Sequence, residues 1–423
     1  MLTNTWRTAL AFAVGLVAAA PAPALAAPTD HESRLLGRAI YPATQYQPGP
    51  PSGFGITAAN GVTPPFSGQP IPGMSAAIYL GRGDYLAQPD NGFGAKGNSA
   101  DFLLRAYVVH PNFRTEDGGD GSVTIKKRIE YRDPDHKVPF ALTRPDRLLT
   151  GADFDIESLR IAKDGTLWIG DEFGPFLLHT SADGVVLEAP IALPGVRSPQ
   201  NPYLAPGEKP TQPASRGFEG MAISKDGKKL YPILEGAPLS APAGSRLRTL
   251  YEFDIPSRAY TGRTWTYETE AGYGEVTIGD FTELDQHRFL AIERDNFDGP
   301  AARLKRVYEV DLRRSDDRGV LQKRLVLDAL NIRDPEGVSL PARPGEYGVG
   351  DPFKFPVQSF ETITVVGGNR LFTTNDNNFP FNSGRWVSGQ VSPRPDDLEF
   401  LLLRVPGLRH GAGADLAPQG EDD

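Results

Sequence analysis

The chain has 423 residues, with 46 Gly, 39 Pro, no Cys and 53 acidic against 44 basic side chains. The net charge of −9 excludes a general nucleic-acid binder, which needs clustered Lys and Arg to displace counterions from phosphates. So many Gly and Pro without a short period suit turns between short strands and not a helical protein.

Arg7, the apolar run Ala9–Ala20 and the small-residue site Ala24-Leu25-Ala26 read as a secretory signal peptide over residues 1–27. Cleavage is expected after Ala26 or Ala27, which predicts a secreted or periplasmic protein. The run is shorter than the ~20 apolar residues that cross a bilayer, and no later segment is more apolar, so no membrane association is expected. Without Cys, an exported chain is held by its core, and by metal, instead of by disulfides.

Residues 28–60 form a Pro- and Gly-rich N-terminal arm, whose Ala39–Tyr41 is expected to pair with a late strand. Gly73–Phe93 is a first, weak hairpin, with Ser75 near Pro89-Asp90. The Asp117–Asp120 stretch, DGGD, lacks the remaining ligands and closing Glu of an EF-hand and reads as a solvated hairpin tip. In Phe154–Pro175, Ile156–Ala162 alternates, Lys163-Asp164-Gly165 turns and Thr166–Ile169 returns, a β-hairpin. Reflection through that turn sets Glu157 opposite Glu172 and Ser158 opposite Asp171. The arrangement recurs: Glu219 reflects onto Glu235 about Lys225–Lys228, Asp280 onto Glu293 about Asp285–His287, and Glu361 onto Asn375-Asp376 about Gly367–Asn369. Pro335–Val338 echoes Glu219-Gly220-Met221 without a clear return strand. Pro190–Pro213 and Leu340–Pro356 are Pro-rich loops, Leu398–Val405 is a strong final strand, and residues 407–423 form a polar, flexible tail.

Hairpins repeating in phase indicate radial repetition, and the fold expected over residues 61–406 is an all-β propeller. Six blades are expected, or five if Pro335–Val338 is only a loop, with the ring closed by the C-terminal strand. A β-sandwich would not bring acidic hairpin mouths into phase.

The segments PDNGFGAKGNSADF, FDIESLRIAKDGTLWIGDEFGP, RGFEGMAISKDGKKLY and FETITVVGGNRLFTTNDNNFPF resemble the phytase-like family, "esterase-like activity of phytase". The resemblance covers about Gly61 to Leu403. It implies a secreted bacterial propeller and hydrolysis of phosphate esters.

In a propeller the innermost strands line the axis, so the hairpin mouths converge. Glu157, Glu172, Glu219, Glu235, Asp280, Glu293, Glu361 and Asp376 are the candidate metal ligands. Carboxylates so close cannot all ionise without cations, and Ca²⁺, with Asn375 and Asn377 as neutral oxygen donors, is the expected cofactor. Glu157, Glu219, Arg216 and Asp171 are the candidate catalytic residues of a Ca²⁺-dependent phosphoesterase. Lys96, Arg216, Arg294 and Arg385 are candidates for holding phosphate oxygens of a small phosphorylated substrate. The 6 His show no zinc spacing, and there is no P-loop or dinucleotide fingerprint. The alternative is a non-catalytic propeller that binds a ligand or partner on the same face, with structural metal only. A monomer is expected.

Overall fold

The computed structural model describes residues 32–387 and 392–408; the signal peptide expected over residues 1–27 and all but the first two residues of the tail expected over 407–423 lie outside them. The strands fall into five sheets of four. β1 (Arg34–Tyr41) comes first in the chain but belongs to the last sheet. Blade 1 holds β2 (Ala76–Gly81), β3 (Asp84–Gln88), β4 (Arg105–Asn112) and β5 (Ser122–Glu130). Blade 2 holds β6 (Ile156–Ile161), β7 (Leu167–Asp171), β8 (Phe176–Thr180) and the short β9 (Ile191–Ala192). Blade 3 follows with β10 (Phe218–Ile223), β11 (Lys229–Leu234), β12 (Leu247–Asp254) and β13 (Ala259–Glu268). β14 (Val276–Glu283), β15 (Arg288–Asp295), β16 (Lys305–Ser315) and β17 (Leu321–Asp328) make blade 4. Blade 5 joins β18 (Ser359–Gly367), β19 (Arg370–Asp376), β20 (Leu398–Arg404) and β1.

The innermost strands touch in the order β2, β6, β10, β14, β18 and back to β2, which is a five-bladed β-propeller. Successive side chains on a strand point to opposite faces, and here each face meets a different neighbouring blade. Trp168 therefore packs with Met221 and Phe253 of blade 3, while Leu167 and Ile169 on either side of it pack with Leu86 and Ala106 of blade 1. Five apolar clusters result, one between each pair of adjacent blades. Inner strands such as β7 and β10 are buried along their whole length, whereas the outermost β5 is mostly exposed.

The ring closes where β1 and β20 pair antiparallel, from Arg34↔Arg404 to Tyr41↔Leu398. Chain from the N-terminal arm thus completes the last blade and covers the outer edge of β20. The blade count is five because Pro335–Val338 is a turn and not a strand. Asp334 caps it, accepting from the N–H of Val338 at 2.7 Å and of Ser339 at 3.0 Å and from the Ser339 hydroxyl at 2.6 Å. The Asp117–Asp120 stretch is the exposed tip between β4 and β5, with Asp120 accepting from the Ser122 N–H at 2.9 Å.

Candidate metal centre

Four of the inner strands share one irregularity at their first turn of pairing. The register slips between Ile156 and Ser158, Phe218 and Gly220, Ile278 and Asp280, and Phe360 and Thr362. The extra residue of each bulge is Glu157, Glu219, Gly279 and Glu361. A bulge leaves one residue out of the ladder and re-aims its side chain. Three blades thereby present a glutamate toward the axis, and blade 4 presents none.

The chain just after each second strand adds the rest of the site. Glu172 follows β7 and Glu235 follows β11; Asp376 ends β19, and Asp90 stands two residues beyond β3. In blade 4 the second strand contributes a cation, Arg294, instead. Asp90, Asp155, Glu157, Glu172, Glu219, Glu235, Glu361 and Asp376, with Arg216 and Arg294, line one polar cavity of about 270 Å³. Each of these carboxylates is at most 9% exposed.

Arg294 Nη2 reaches Glu361 at 2.7 Å, Glu235 at 3.4 Å and Glu219 at 3.8 Å, and its Nη1 donates to Asn296 Oδ1 at 2.8 Å. Arg216 Nη1 lies 2.6 Å from Glu235 Oε2. Three groups bring one carboxylate oxygen per residue to within 4.8 Å of one another: Asp90–Asp155–Glu157, Glu157–Glu219–Glu361 and Glu172–Glu219–Glu235. Buried oxygens Asp155 Oδ1 and Glu172 Oε1 have no hydrogen-bond partner. A buried polar atom left unpaired is costly, so the donor set fits a hard cation with oxygen ligands.

The electrostatics follow from crowding and burial. Burial, then Asp155, pushes Asp90 up to about 8; burial, then Asp171, pushes Asp155 up to about 7. Glu157 is raised by burial and then by Glu219, Glu219 by burial and then by Glu235, and Glu172 likewise by burial and Glu235. Burial, then Asp90, raises Asp376. Burial also raises Glu235, although Arg216 opposes it. For Arg294 burial works against the charge, but Glu361, Glu235 and Glu219 outweigh it and hold the guanidinium firmly protonated.

Of the residues singled out in the sequence, Glu157, Glu172, Glu219, Glu235, Glu361 and Asp376 meet at the mouth with Arg216 and Arg294. Asp171, Asp280 and Glu293 do not line it. Asp171 accepts from the N–H groups of Asp155 at 2.8 Å and Gly174 at 2.7 Å, tying the two ends of its hairpin together. Asp280 accepts from the N–H of Phe281 at 2.7 Å and of Ile363 at 3.0 Å, with Arg160 3.5 Å away. Glu293 turns to the other face of β15, where Lys323, Tyr267 and the Glu270 N–H hold it. The bulge explains the difference: Ile156 and not Ser158 pairs with Asp171, and Asp280 pairs with Ile292 and not Glu293. The bulged position of blade 4 is Gly279, one residue before Asp280. Arg385 lies away from the mouth, with its guanidinium on Glu399 and on the carbonyls of Tyr347 and Lys354. Lys96 donates to the Gln200 carbonyl at 3.2 Å. Asp90 and Asp155 are the carboxylates of the mouth that sequence reasoning missed. Asp155 stands two residues before Glu157, directly ahead of β6.

Fold and site together define a five-bladed β-propeller with a buried carboxylate cluster at one end of its axis. The chain belongs to the phytase-like family: the family model described as esterase-like activity of phytase matches residues 69–379. A secreted protein of Arthroderma benhamiae is 28% identical over 188 residues, 35% of this chain and 35% of that protein, so the chain spans about a third of that relative's length. Among solved structures, the PQQ-bound aldose sugar dehydrogenase of Streptomyces coelicolor aligns over 90% of this chain and 100% of its own, at 12% identity and a TM-score of 0.35. An arabinanase of Bacillus subtilis aligns over 78% of this chain and 92% of its own, at 10% identity and a TM-score of 0.37. No helix among the described residues is long and apolar enough to cross a membrane.

Proposed function

We propose that the protein is an exported hydrolase of phosphate esters that works with Ca²⁺ at the axial mouth. The observation that carries this reading is the set of buried carboxylates with unpaired oxygens, Asp155 Oδ1 and Glu172 Oε1, in a cavity that also holds two arginines. Family membership supports an ester of phosphoric acid as the substrate class, and the signal sequence of residues 1–27 supports export.

The ligands of the cation would come from the carboxylates that line the mouth, which group as Asp90–Asp155–Glu157, Glu157–Glu219–Glu361 and Glu172–Glu219–Glu235, with Asp376 beside them. When bound, such a cation neutralises charge on the phosphoryl oxygens and lowers the pKa of an attacking water. Hydrolysis forms a bond from water oxygen to phosphorus and breaks the bond from phosphorus to the ester oxygen, and the water proton ends on the departing alkoxide. Arg216, whose side chain is 30% exposed at the rim, binds and orients phosphoryl oxygens through paired N–H groups. Arg294, nearly buried, fixes the positions of Glu219, Glu235 and Glu361. Asp171 acts at one remove, by holding the backbone that carries Asp155.

The test is turnover of p-nitrophenyl phosphate by the mature protein, with calcium and with a chelator. Hydrolysis that calcium supports and chelator abolishes is the expected result. Calcium binding without turnover of any phosphomonoester would leave the non-catalytic binding function in its place.

A further inference from the structure

The arginines divide the mouth into two unlike halves. Glu219, Glu235 and Glu361 all lie within ion-pair reach of Arg294, and Glu235 also has Arg216 at 2.6 Å. Asp90, Asp155 and Glu157 bring their oxygens within 4.8 Å of one another, and among the described residues no Lys or Arg forms an ion pair with any of them. The other two groups of three each include carboxylates that an arginine already neutralises. At this arginine-free side, Asp155 is 2% exposed and its Oδ1 has no hydrogen-bond partner. Asp90 is fixed by the Gly92 N–H, which donates to its Oδ1 at 2.8 Å.

We propose that the mouth is bipartite: the Asp90–Asp155–Glu157 half takes the divalent cation, and Arg216, on the other half, takes an oxyanion of the ligand. This rests on the reading of the mouth as a metal-dependent phosphoesterase site. Like charges a few ångströms apart repel strongly where they are largely buried. A cation beside Arg294 would meet that repulsion, whereas beside Asp155 it meets only carboxylates. Glu219 and Glu235 then serve to hold the arginines, not the metal. Arg216 can turn one edge to an anion because its side chain is 30% exposed, against 9% for Arg294.

Titration calorimetry of mature wild type, Asp155→Asn, Asp90→Asn, Glu219→Gln and Arg216→Ala separates the halves. Calcium chloride is the first probe, and sub-millimolar inorganic phosphate in the presence of calcium is the second. Melts in chelator establish that each variant is folded, and two aspartate variants guard against one that is not. Asp155→Asn and Asp90→Asn should each raise the calcium Kd at least about tenfold, and Glu219→Gln should change it far less. Arg216→Ala should leave the calcium Kd in place and weaken phosphate by about tenfold, the loss of a hydrogen-bonded charge contact. Calcium binding lost in Glu219→Gln but kept in the aspartate variants would overturn the bipartite site and leave the metal-dependent function standing. Phosphate binding untouched in Arg216→Ala would overturn the oxyanion half. A wild type that binds no calcium would overturn both this proposal and the function beneath it.

Discussion

Gly279 and Arg294 show how single residues distinguish one blade from the rest. Where blades 2, 3 and 5 place Glu157, Glu219 and Glu361 in the bulge, blade 4 has a glycine, and a Cβ there would meet the Phe360 carbonyl oxygen at 2.1 Å. The same blade sends Arg294 across the mouth to three carboxylates of other blades. Removing one partner of a buried ion pair leaves the other charge without compensation. Arg294→Met should therefore cost about 3–5 kcal/mol of stability, measured by urea denaturation at neutral pH in chelator. A cost near that of an exposed arginine would mean the guanidinium is not the counter-charge of this cluster.

At the scale of elements, the last blade is assembled from the two ends of the chain. β1 pairs only with β20 in that sheet, and Leu401 and Leu403 of β20 enter the core shared with blade 4. Deleting residues from Leu398 onward should unfold the protein cooperatively, since the ring would lose both strands and gain an open edge. A truncated chain that kept its melting temperature would contradict this. Leu401→Ala, a milder lesion in the same core, should cost about 2–5 kcal/mol by the same denaturation measurement.

The closing strand also carries a charge network. Arg38 of β1 pairs with Glu346 and, at 3.0 Å, with Glu399 of β20. Burial raises the pKa of Glu346, but Arg38 and Arg343 outweigh it and hold the carboxyl down at about 2. A carboxylate whose pKa falls on folding adds stability above its unfolded value, and that stability is lost as pH falls through the folded value. Protein stability should thus decline from about pH 4.5, the unfolded value, toward about pH 2. Arg38→Met should flatten this part of an acid-denaturation curve while lowering stability at neutral pH.

For the whole molecule, five cores between blades hold a ring whose axis carries a concentration of negative charge. That charge opposes folding, and a cation bound only by the native state would offset it. Wild type should gain about 2.7–4.1 kcal/mol from calcium at 100 to 1,000 times its dissociation constant, seen as a rise in melting temperature that chelator reverses. Melting temperatures identical in calcium and chelator would remove the metal from the site.

Much of this is written locally in the chain. Alternation around Lys163-Asp164-Gly165 and its counterparts specifies hairpins, because two-residue periodicity and turn glycines act over a few residues. The acids beside those turns identify the mouth for the same reason, since one end of each hairpin is acidic in its own sequence. The pairing of Ala39–Tyr41 with a late strand, expected from the sequence, is made with Leu398–Phe400 of β20. Three matters were decided only by tertiary structure. The number of blades depends on whether Pro335–Val338 pairs with a neighbour, and Asp334 captures that segment as a turn instead. The side chains that reach the axis depend on bulges, which shift register by one residue and so turn Asp280 and Glu293 away while bringing Glu157 in. The meeting of Asp90 with Asp155 and Glu157, and of Arg294 with Glu219, Glu235 and Glu361, joins residues of neighbouring blades far apart in the chain, and only the packing of blade against blade brings them within a few ångströms.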